Sequence, residues 1–206
     1  MNHPKWLNWA QRLQAIAQNG LAYATNPFET QRCLEIQHIA AEILTEHTGV
    51  DESAVLDLLG KEKGYATPKL DVRGAVFRGE EILLVRERVD GGWTLPGGWV
   101  DINESPREAV EKEVREESGY RVKAVRLLAV LDRNKHPHPP YIHHIIKMFI
   151  ECDLVGGEPK NSIETSEVGF FHQDSIPPLS VQRVTREQID RMFTLHGSPH
   201  LLTDFD

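Results

Sequence analysis

Apolar residues at helical spacing dominate the first third of the chain. Residues 6–17 and 33–43 each place an apolar side chain every three or four positions, which is typical of amphipathic helices. Residues 51–60 indicate a short third helix that ends at Gly60. We therefore predict a small all-helical domain over residues 1–64, followed by the polar linker KEKGYATPKL.

The pattern changes after residue 68 to short runs rich in Val, Ile and Leu, which predict strands. Two such runs flank Arg78-Gly79-Glu80 and indicate a hairpin, and three more follow: VKAVRLLAVLDR, HHIIKMFIECDLV and EVGFF. Two helices interrupt them, an acidic one at 105–118 and a final one in TREQIDRMFTLH, where Thr185 and Gln188 fit a capping box. Strands mixed with helices predict an α/β (α+β) catalytic domain over residues 69–206.

Composition narrows the functional classes. The 206 residues are 40% hydrophobic and 26% charged, and no apolar run approaches the roughly 18 residues of a membrane span. The first residues lack the features of a signal peptide, and Cys33 and Cys152 form neither a disulfide framework nor a metal motif. We expect a cytoplasmic protein without a membrane span. The net charge of −8 disfavours nucleic acid as a partner without excluding it.

The acidic helix is well specified at both ends. Ser105 is a good N-cap, Pro106 suits the first helical position, Glu108 fits a capping box, and Gly119 is placed to end the helix. Residues 105–118 are therefore expected to form a helix on local grounds alone.

Three carboxylates crowd one face of that helix. Glu113, Glu116 and Glu117 stand at i, i+3 and i+4, where like charges repel, near the helix end whose dipole also disfavours them. Charge spacing leaves two interpretations about equally open. The helix is either a solvated one with i,i+4 ion pairs or the ligand face of a divalent metal. The ion pairs would be Arg107 with Glu111, Glu111 with Arg115, and Glu108 with Lys112.

The stretch GWVDINESPREAVEKEVREESGY, residues 98–120, resembles the signature of the Nudix hydrolases. That signature is glycine, five residues, Glu, seven residues, then Arg-Glu-apolar-any-Glu-Glu-any-Gly-apolar. The matching residues are Gly98, Glu104, Glu113, Val114, Glu116, Glu117 and Gly119. Lys112 stands where the family has Arg, which keeps the charge but loses the planar fork.

The resemblance implies a fold and an activity. The fold is an α/β/α sandwich with a mixed sheet behind a helical N-terminal domain, as in the subgroup of CDP-choline and ADP-ribose pyrophosphatases. The activity is hydrolysis of a nucleoside diphosphate linked to another moiety, of the CDP-choline or ADP-ribose type, to a nucleoside monophosphate. An acidic site binds such an anion only through cations, so Mg²⁺ or Mn²⁺ is the expected cofactor.

The resemblance also implies residue roles. The metal ligands would be Glu113 and Glu117, with Glu116 and the Gly97 carbonyl as further candidates, and Glu104 would steady them. A general base is often a glutamate outside this signature. The candidate catalytic residues are therefore Glu164, Glu167 and Glu116, although solvation in a loop explains either of the first two equally well.

Substrate-binding candidates are less specific. Arg73, Arg86 and Arg88 flank the early strands and suit phosphate oxygens, and Trp93 suits a base, although ion pairing or packing explains each of them singly. The histidine-rich residues 136–144 are interpreted as a loop near the substrate or a histidine metal site.

Two other functions remain as alternatives. One is an RNA-processing Nudix enzyme, and the other is a non-catalytic nucleotide sensor on the same scaffold. A sensor is expected to lose the glutamates of the signature, and this chain keeps all four, which favours the enzyme. The helical segment carries more apolar residues than one intramolecular contact would cover, so we also predict a homodimer to which it contributes.

Overall fold

The computed structural model describes residues 4–206, and the statements below concern that part of the chain. The chain forms two compact units. The helical unit comprises Met1–Pro68 with Pro140–His144, and the sheet unit comprises Lys69–Pro139 with Ile145–Asp206. Among the described helices, none has the length and apolar character that a membrane span requires.

Three helices build the helical unit: α1 (Lys5–Tyr23), α2 (Pro27–Thr48) and α3 (Glu52–Lys61). Helices α1 and α2 approach so closely that a Cβ added to Gly20 would lie 2.3 Å from the sulfur of Cys33. The predicted end of α3 at Gly60 was wrong, because the helix continues to Lys61. A glycine inside a helix costs only about 1 kcal/mol relative to alanine, which this packed helix tolerates. Its small core contains Leu7, Ala10, Ala41, Leu44, Val55 and Leu59.

A second segment of the chain completes that core. Ile142 packs against the buried side chains, and Gln11 Nε2 donates hydrogen bonds to the carbonyls of Tyr141 and Ile142, each at 3.1 Å. The strand predicted to include His143 and His144 therefore starts later than expected, at Ile145, because these histidines belong to the returning segment.

Seven strands of the described chain form the mixed sheet of the other unit. They are β1 (Lys69–Arg78), β2 (Glu81–Glu87), β3 (Trp93–Thr94), β4 (Tyr120–Asp132), β5 (Ile145–Gly157), β6 (Thr165–His172) and β7 (Asp204–Phe205). Their order in the sheet is β3-β2-β1-β5-β4-β7, with β6 also paired to β2. Strand β1 runs parallel to β5 and antiparallel to β2, which confirms the predicted mixed sheet.

Helices α4 (Pro106–Ser118) and α5 (Arg186–Gly197) serve two separate cores of the sheet unit. Val72 and Val76 of β1 pack with Val110 and Val114 of α4, whereas Ala75 joins the core that contains α5. Because side chains alternate along a strand, the two cores occupy opposite faces of the sheet. The predicted α/β/α sandwich is thereby confirmed.

Candidate active site

Helix α4 begins and ends where its local sequence predicts. Ser105 Oγ accepts a hydrogen bond from the Glu108 backbone N–H at 3.3 Å, and Glu108 Oε2 accepts one from the Ser105 backbone N–H at 2.9 Å. Gly119 ends the helix with φ of 79°, a left-handed conformation that favours glycine. Both ends therefore hold the acidic face at a fixed place in the sheet unit.

The predicted i,i+4 ion pairs do not form. Arg107 donates to the carbonyl of Ala124, and Glu111 accepts from the Ala124 backbone N–H at 2.8 Å, so both side chains bind β4. Arg115 instead lies 3.9 Å from the neighbouring Glu116. The prediction failed because the edge of a packed sheet offers polar backbone groups that an isolated helix does not have.

Lys112 gathers the acidic residues that precede the helix. Its Nζ donates to Glu104 Oε2 at 2.8 Å and to Asp101 Oδ2 at 2.9 Å, and it lies 3.8 Å from Glu113 Oε1. The hydrogen bond to Glu104, followed by that to Asp101, raises the pKa of Lys112. Lysine thus holds Glu104 through single point-charge contacts, without the paired contacts of an arginine fork.

Glu113 and Glu117 carry buried or half-buried charge on the same face of α4. Glu117 is only 6% exposed, and burial raises its pKa to about 8 despite opposing effects of Arg73 and of the Gly97 N–H. That N–H donates to Glu117 Oε2 at 2.9 Å. Burial likewise raises the pKa of Glu113, and the charge of Glu113 adds to the raised pKa of Glu117. The pair is therefore short of positive charge.

Two glycines allow the backbone to reach these carboxylates. A Cβ added to Gly97, whose φ is 146°, would lie 2.0 Å from the carbonyl oxygen of Val72 in β1. A Cβ added to Gly98 would lie 3.0 Å from Glu113 Oε2. Only glycine fits at Gly97, so the segment can lie against β1 and present its N–H to Glu117.

Arg73 is a buried cation close to these carboxylates, and it forms the ion pair that the sequence left open as an alternative to phosphate binding. Arg73 is 4% exposed and grips Asp71 with Nε at 3.0 Å and a terminal nitrogen at 2.7 Å. It also donates to the carbonyl of Leu95 at 3.2 Å. Its charge opposes the rise in the pKa of Glu117 and of Glu113 that burial causes. The predicted grip of Arg73 on phosphate needs correction, because its guanidinium is buried and already bound within the framework.

Lys147 of β5 completes this buried group. Its Nζ donates to Asp71 Oδ1 at 2.5 Å, and burial lowers the pKa of Lys147 to about 8. Asp71 and Lys147 are direct partners in the parallel pairing of β1 with β5. That register joins residues far apart in the chain, so no local pattern in the sequence could have indicated it.

Glu87 and Glu164 extend the acidic cluster at the ends of β2 and β6. Glu87 is 3% exposed, and burial raises its pKa, with Glu164 adding to the effect. Glu164 is exposed, and its carbonyl accepts a hydrogen bond from the Arg88 N–H at 2.9 Å. The charge of Glu164 also raises the pKa of Glu113. We call Glu87, Glu113, Glu117 and Glu164 the carboxylate cluster.

Other predicted site residues lie in different surroundings. Glu116 is exposed, and Glu167 forms an ion pair with Arg86 at 2.5 Å. Arg88 is exposed, and its Nε donates to the carbonyl of Ser162 at 3.3 Å. Trp93 is packed edge-on against Phe171, with ring centroids 4.8 Å apart.

The four histidines of residues 136–144 are divided between the two units, two in each. His138 Nδ1 lies 2.8 Å from the carbonyl oxygen of Val181, and burial lowers its pKa to about 4. Across residues 4–206, no three His, Cys, Asp or Glu side chains converge closely enough to bind a metal ion by themselves. The histidine metal site considered from the sequence is therefore not formed.

Two family models match the chain. Residues 67–192 match the one described as the NUDIX domain, and residues 4–59 match the one described as a UDP-X-like, N-terminal oligomerisation domain. The protein YjhB of Bacillus subtilis (strain 168), provisionally named an ADP-ribose pyrophosphatase, is 47% identical over 98% of this chain and 97% of its own length.

Two solved structures resemble the chain as well. A UDP-X diphosphatase is 32% identical with a TM-score of 0.65, and the match covers 100% of both chains. An ADP-ribose pyrophosphatase from Streptococcus suis 89-1591 is 45% identical with a TM-score of 0.63, over 68% of this chain and 100% of that one.

Proposed function

Because this chain belongs to the Nudix family, we propose that its carboxylate cluster hydrolyses the diphosphate of a nucleoside diphosphate conjugate of the ADP-ribose type. The chain is a Nudix pyrophosphohydrolase, and the proposal concerns which residues act and on which substrate. The observation that supports this site is the buried, under-compensated pair Glu113 and Glu117 on the signature helix. ADP-ribose leads among substrates because two of the similar proteins carry that name.

The residues of the cluster suit a hard divalent cation such as Mg²⁺ or Mn²⁺. Burial raises the pKa of both Glu113 and Glu117, which is the effect expected of carboxylates that lack a full counter-charge. Mg²⁺ binds through one or two carboxylates and keeps several waters, so it does not require three converging side chains. When bound, it would neutralise phosphate oxygens and lower the pKa of an attacking water.

The chain's own groups divide the remaining work. Gly97 donates to Glu117 and holds one carboxylate oxygen in place, which leaves the other oxygen to face a ligand. Lys112 holds Glu104 beside Glu113, which keeps the rim of the cluster fixed. Glu164 is exposed yet acts electrostatically on Glu113, so it is our candidate to accept the proton of the attacking water.

The first test compares two glutamates on different helices. Glu117→Gln should lower kcat for ADP-ribose by about 100-fold or more, the scale of losing a metal ligand or its activated water. Glu187→Gln removes an exposed carboxylate from α5 and is the control, with activity expected to stay near wild type. Full activity of the Glu117 variant, or of the wild type in excess EDTA, would contradict the proposed site.

The substrate is tested by release of AMP, CMP or UMP from a panel containing ADP-ribose, CDP-choline and UDP conjugates. Fastest turnover of the CDP or UDP members would keep the reaction and change the nucleoside. RNA processing remains the second candidate. Its test is RNA binding that weakens steeply with added salt, which the net charge of −8 disfavours.

A further inference from the structure

Glu87 is a buried carboxylate whose partner reaches solvent. Its side chain lies at the end of β2 with 3% exposure, and Oε1 lies 2.7 Å from Arg183 Nε in an ion pair. The Arg183 side chain is 31% exposed. Nε is the guanidinium nitrogen nearest to Glu87. Among residues 4–206, the hydrogen bond that the terminal nitrogens of Arg183 make is a long one, 3.5 Å from Nη1 to Ser180 Oγ.

The turn that carries Arg183 is rigidly built. The Arg183 N–H donates to the carbonyl of Ser180 at 2.8 Å, and the Ser180 N–H donates to the carbonyl of Trp93 at 2.9 Å. Ser180 Oγ donates to Asp90 Oδ2 at 2.7 Å. A Cβ added to Gly92 would lie 2.5 Å from the Ser180 nitrogen, so the two backbone segments are in close contact. The backbone that carries Arg183 is therefore held in place.

Arg183 is also located at the carboxylate cluster. Glu87 interacts electrostatically with Arg73 and Glu164, and its charge contributes to the raised pKa of Glu117. The buried Arg73 is committed to Asp71, whereas Arg183 is partly exposed. A diphosphate approaching the cluster would meet carboxylates first, so a fixed cation at the rim has a clear electrostatic use.

We propose that Arg183 binds a phosphate oxygen of the substrate diphosphate, with Glu87 as the positioning residue that orients its guanidinium. The terminal N–H groups of a planar guanidinium form the fork that matches phosphate, and those of Arg183 make only the long contact with Ser180 among residues 4–206. This assignment rests on the proposed function, because it takes the diphosphate as the ligand of the carboxylate cluster. The simpler alternative is that Arg183 only neutralises the buried Glu87.

A matched set of variants separates the two roles. Arg183→Met leaves Glu87 buried and unpaired, so a loss of activity in that variant alone could reflect misfolding. Arg183→Met combined with Glu87→Gln removes both charges and should recover most of the wild-type Tm. Glu87→Gln alone keeps Arg183 and isolates the effect of Glu87, and Arg186→Met, which removes an exposed arginine of α5, is the control. KM and kcat for ADP-ribose with Mg²⁺, and Tm, are measured for wild type and the four variants.

We expect the double variant to show a KM about tenfold or more above wild type, the range of one charge-assisted hydrogen bond, with recovered Tm and a smaller change in kcat. Arg186→Met should stay within about threefold of the wild-type KM, and Glu87→Gln alone should raise KM less than the double variant does, because Arg183 is still present. A double variant with recovered Tm and wild-type KM would overturn the assignment and leave Arg183 a neutralising partner.

Failure of the proposed function has a different signature. A wild type that hydrolyses no member of the conjugate panel would refute that function whatever the variants do. The Arg183 assignment is then judged by the rise in Tm that ADP produces in wild type and in the double variant. A smaller rise in the double variant supports phosphate binding by Arg183, whereas equal rises, or none in wild type, would overturn it.

Discussion

Glu117 shows at the scale of one residue how burial and function oppose each other. Burial raises its pKa from an ordinary 4.5 to about 8. The folded chain therefore holds the proton more tightly than the unfolded chain does. The stabilisation from this group is fully present below about pH 4.5 and is lost as the pH rises towards 8. A cation binds the ionised form of Glu117. In the metal-free protein, Glu117 therefore contributes least to stability at the pH values at which it can bind a metal ion.

Glu117→Gln should therefore change how stability depends on pH. In EDTA, the variant should gain in free energy of unfolding relative to wild type as the pH rises from about 5 to about 8, because it has no charge to bury. Urea unfolding at several pH values measures the difference. Glu187→Gln is the control, since its carboxylate is exposed on α5. A Glu117 variant that is less stable than wild type at about pH 8 would show that the charged form is structurally favourable.

Single residues also show where sequence reasoning stopped. The spacing of Glu113 and Glu117 was enough to predict that they share a helix face and lack positive charge. Arg73 was named as a candidate for phosphate or for an ion pair, but its burial close to these carboxylates was not predictable. Its burial depends on Asp71, and that depends in turn on the parallel register that brings Lys147 alongside.

At the scale of elements, local signals succeeded and longer-range ones failed. Both ends of α4 and the capping box of α5 were predicted correctly, because each involves residues within one turn of helix. The ion pairs along α4 were predicted wrongly, since Arg107 and Glu111 bind β4. Whether a charged side chain pairs along its own helix depends on which neighbouring element it faces, and the sequence does not supply that information.

Removing the cap of α4 should therefore have a modest and local effect. Ser105→Ala removes the oxygen that accepts from the Glu108 N–H and should lower the free energy of unfolding by about 1 kcal/mol. Thr185→Ala makes the equivalent change at α5, away from the carboxylate cluster, and is the control. Denaturant unfolding measures both. If Ser105→Ala lowers kcat and Thr185→Ala does not at equal stability loss, the cap also positions the acidic face.

At the scale of the whole molecule, the helical unit leaves much apolar surface uncovered in a single chain. Trp9, Ile16, Leu34 and Ile39 are 54%, 56%, 43% and 40% exposed. Four such side chains on two adjacent helices exceed the scattered apolar exposure that is normal for a monomer. The match of residues 4–59 to an oligomerisation domain agrees with our prediction of a homodimer.

Light scattering behind a sizing column tests that prediction. We expect twice the chain mass of 23.4 kDa for wild type and a shift towards a single chain for Ile16→Lys, which places a charge on the exposed face. Leu202→Lys is the control, because Leu202 is 88% exposed in the sheet unit. A wild type of single-chain mass at micromolar concentration would refute the dimer. A dimer unaffected by Ile16→Lys would move the interface elsewhere.

The return of residues 140–144 to the helical unit has a consequence for biosynthesis. Ile142 belongs to a core whose other members are complete by residue 59. The ribosome makes about 80 further residues, including about half of the sheet unit, as far as the end of β4, before Ile142 exists. The core of the helical unit is therefore incomplete until Ile142 has been synthesised, and its apolar residues would be accessible to chaperones during that interval. A fusion protein that contains only residues 1–64 of this chain would lack the packing of Ile142 on that core altogether.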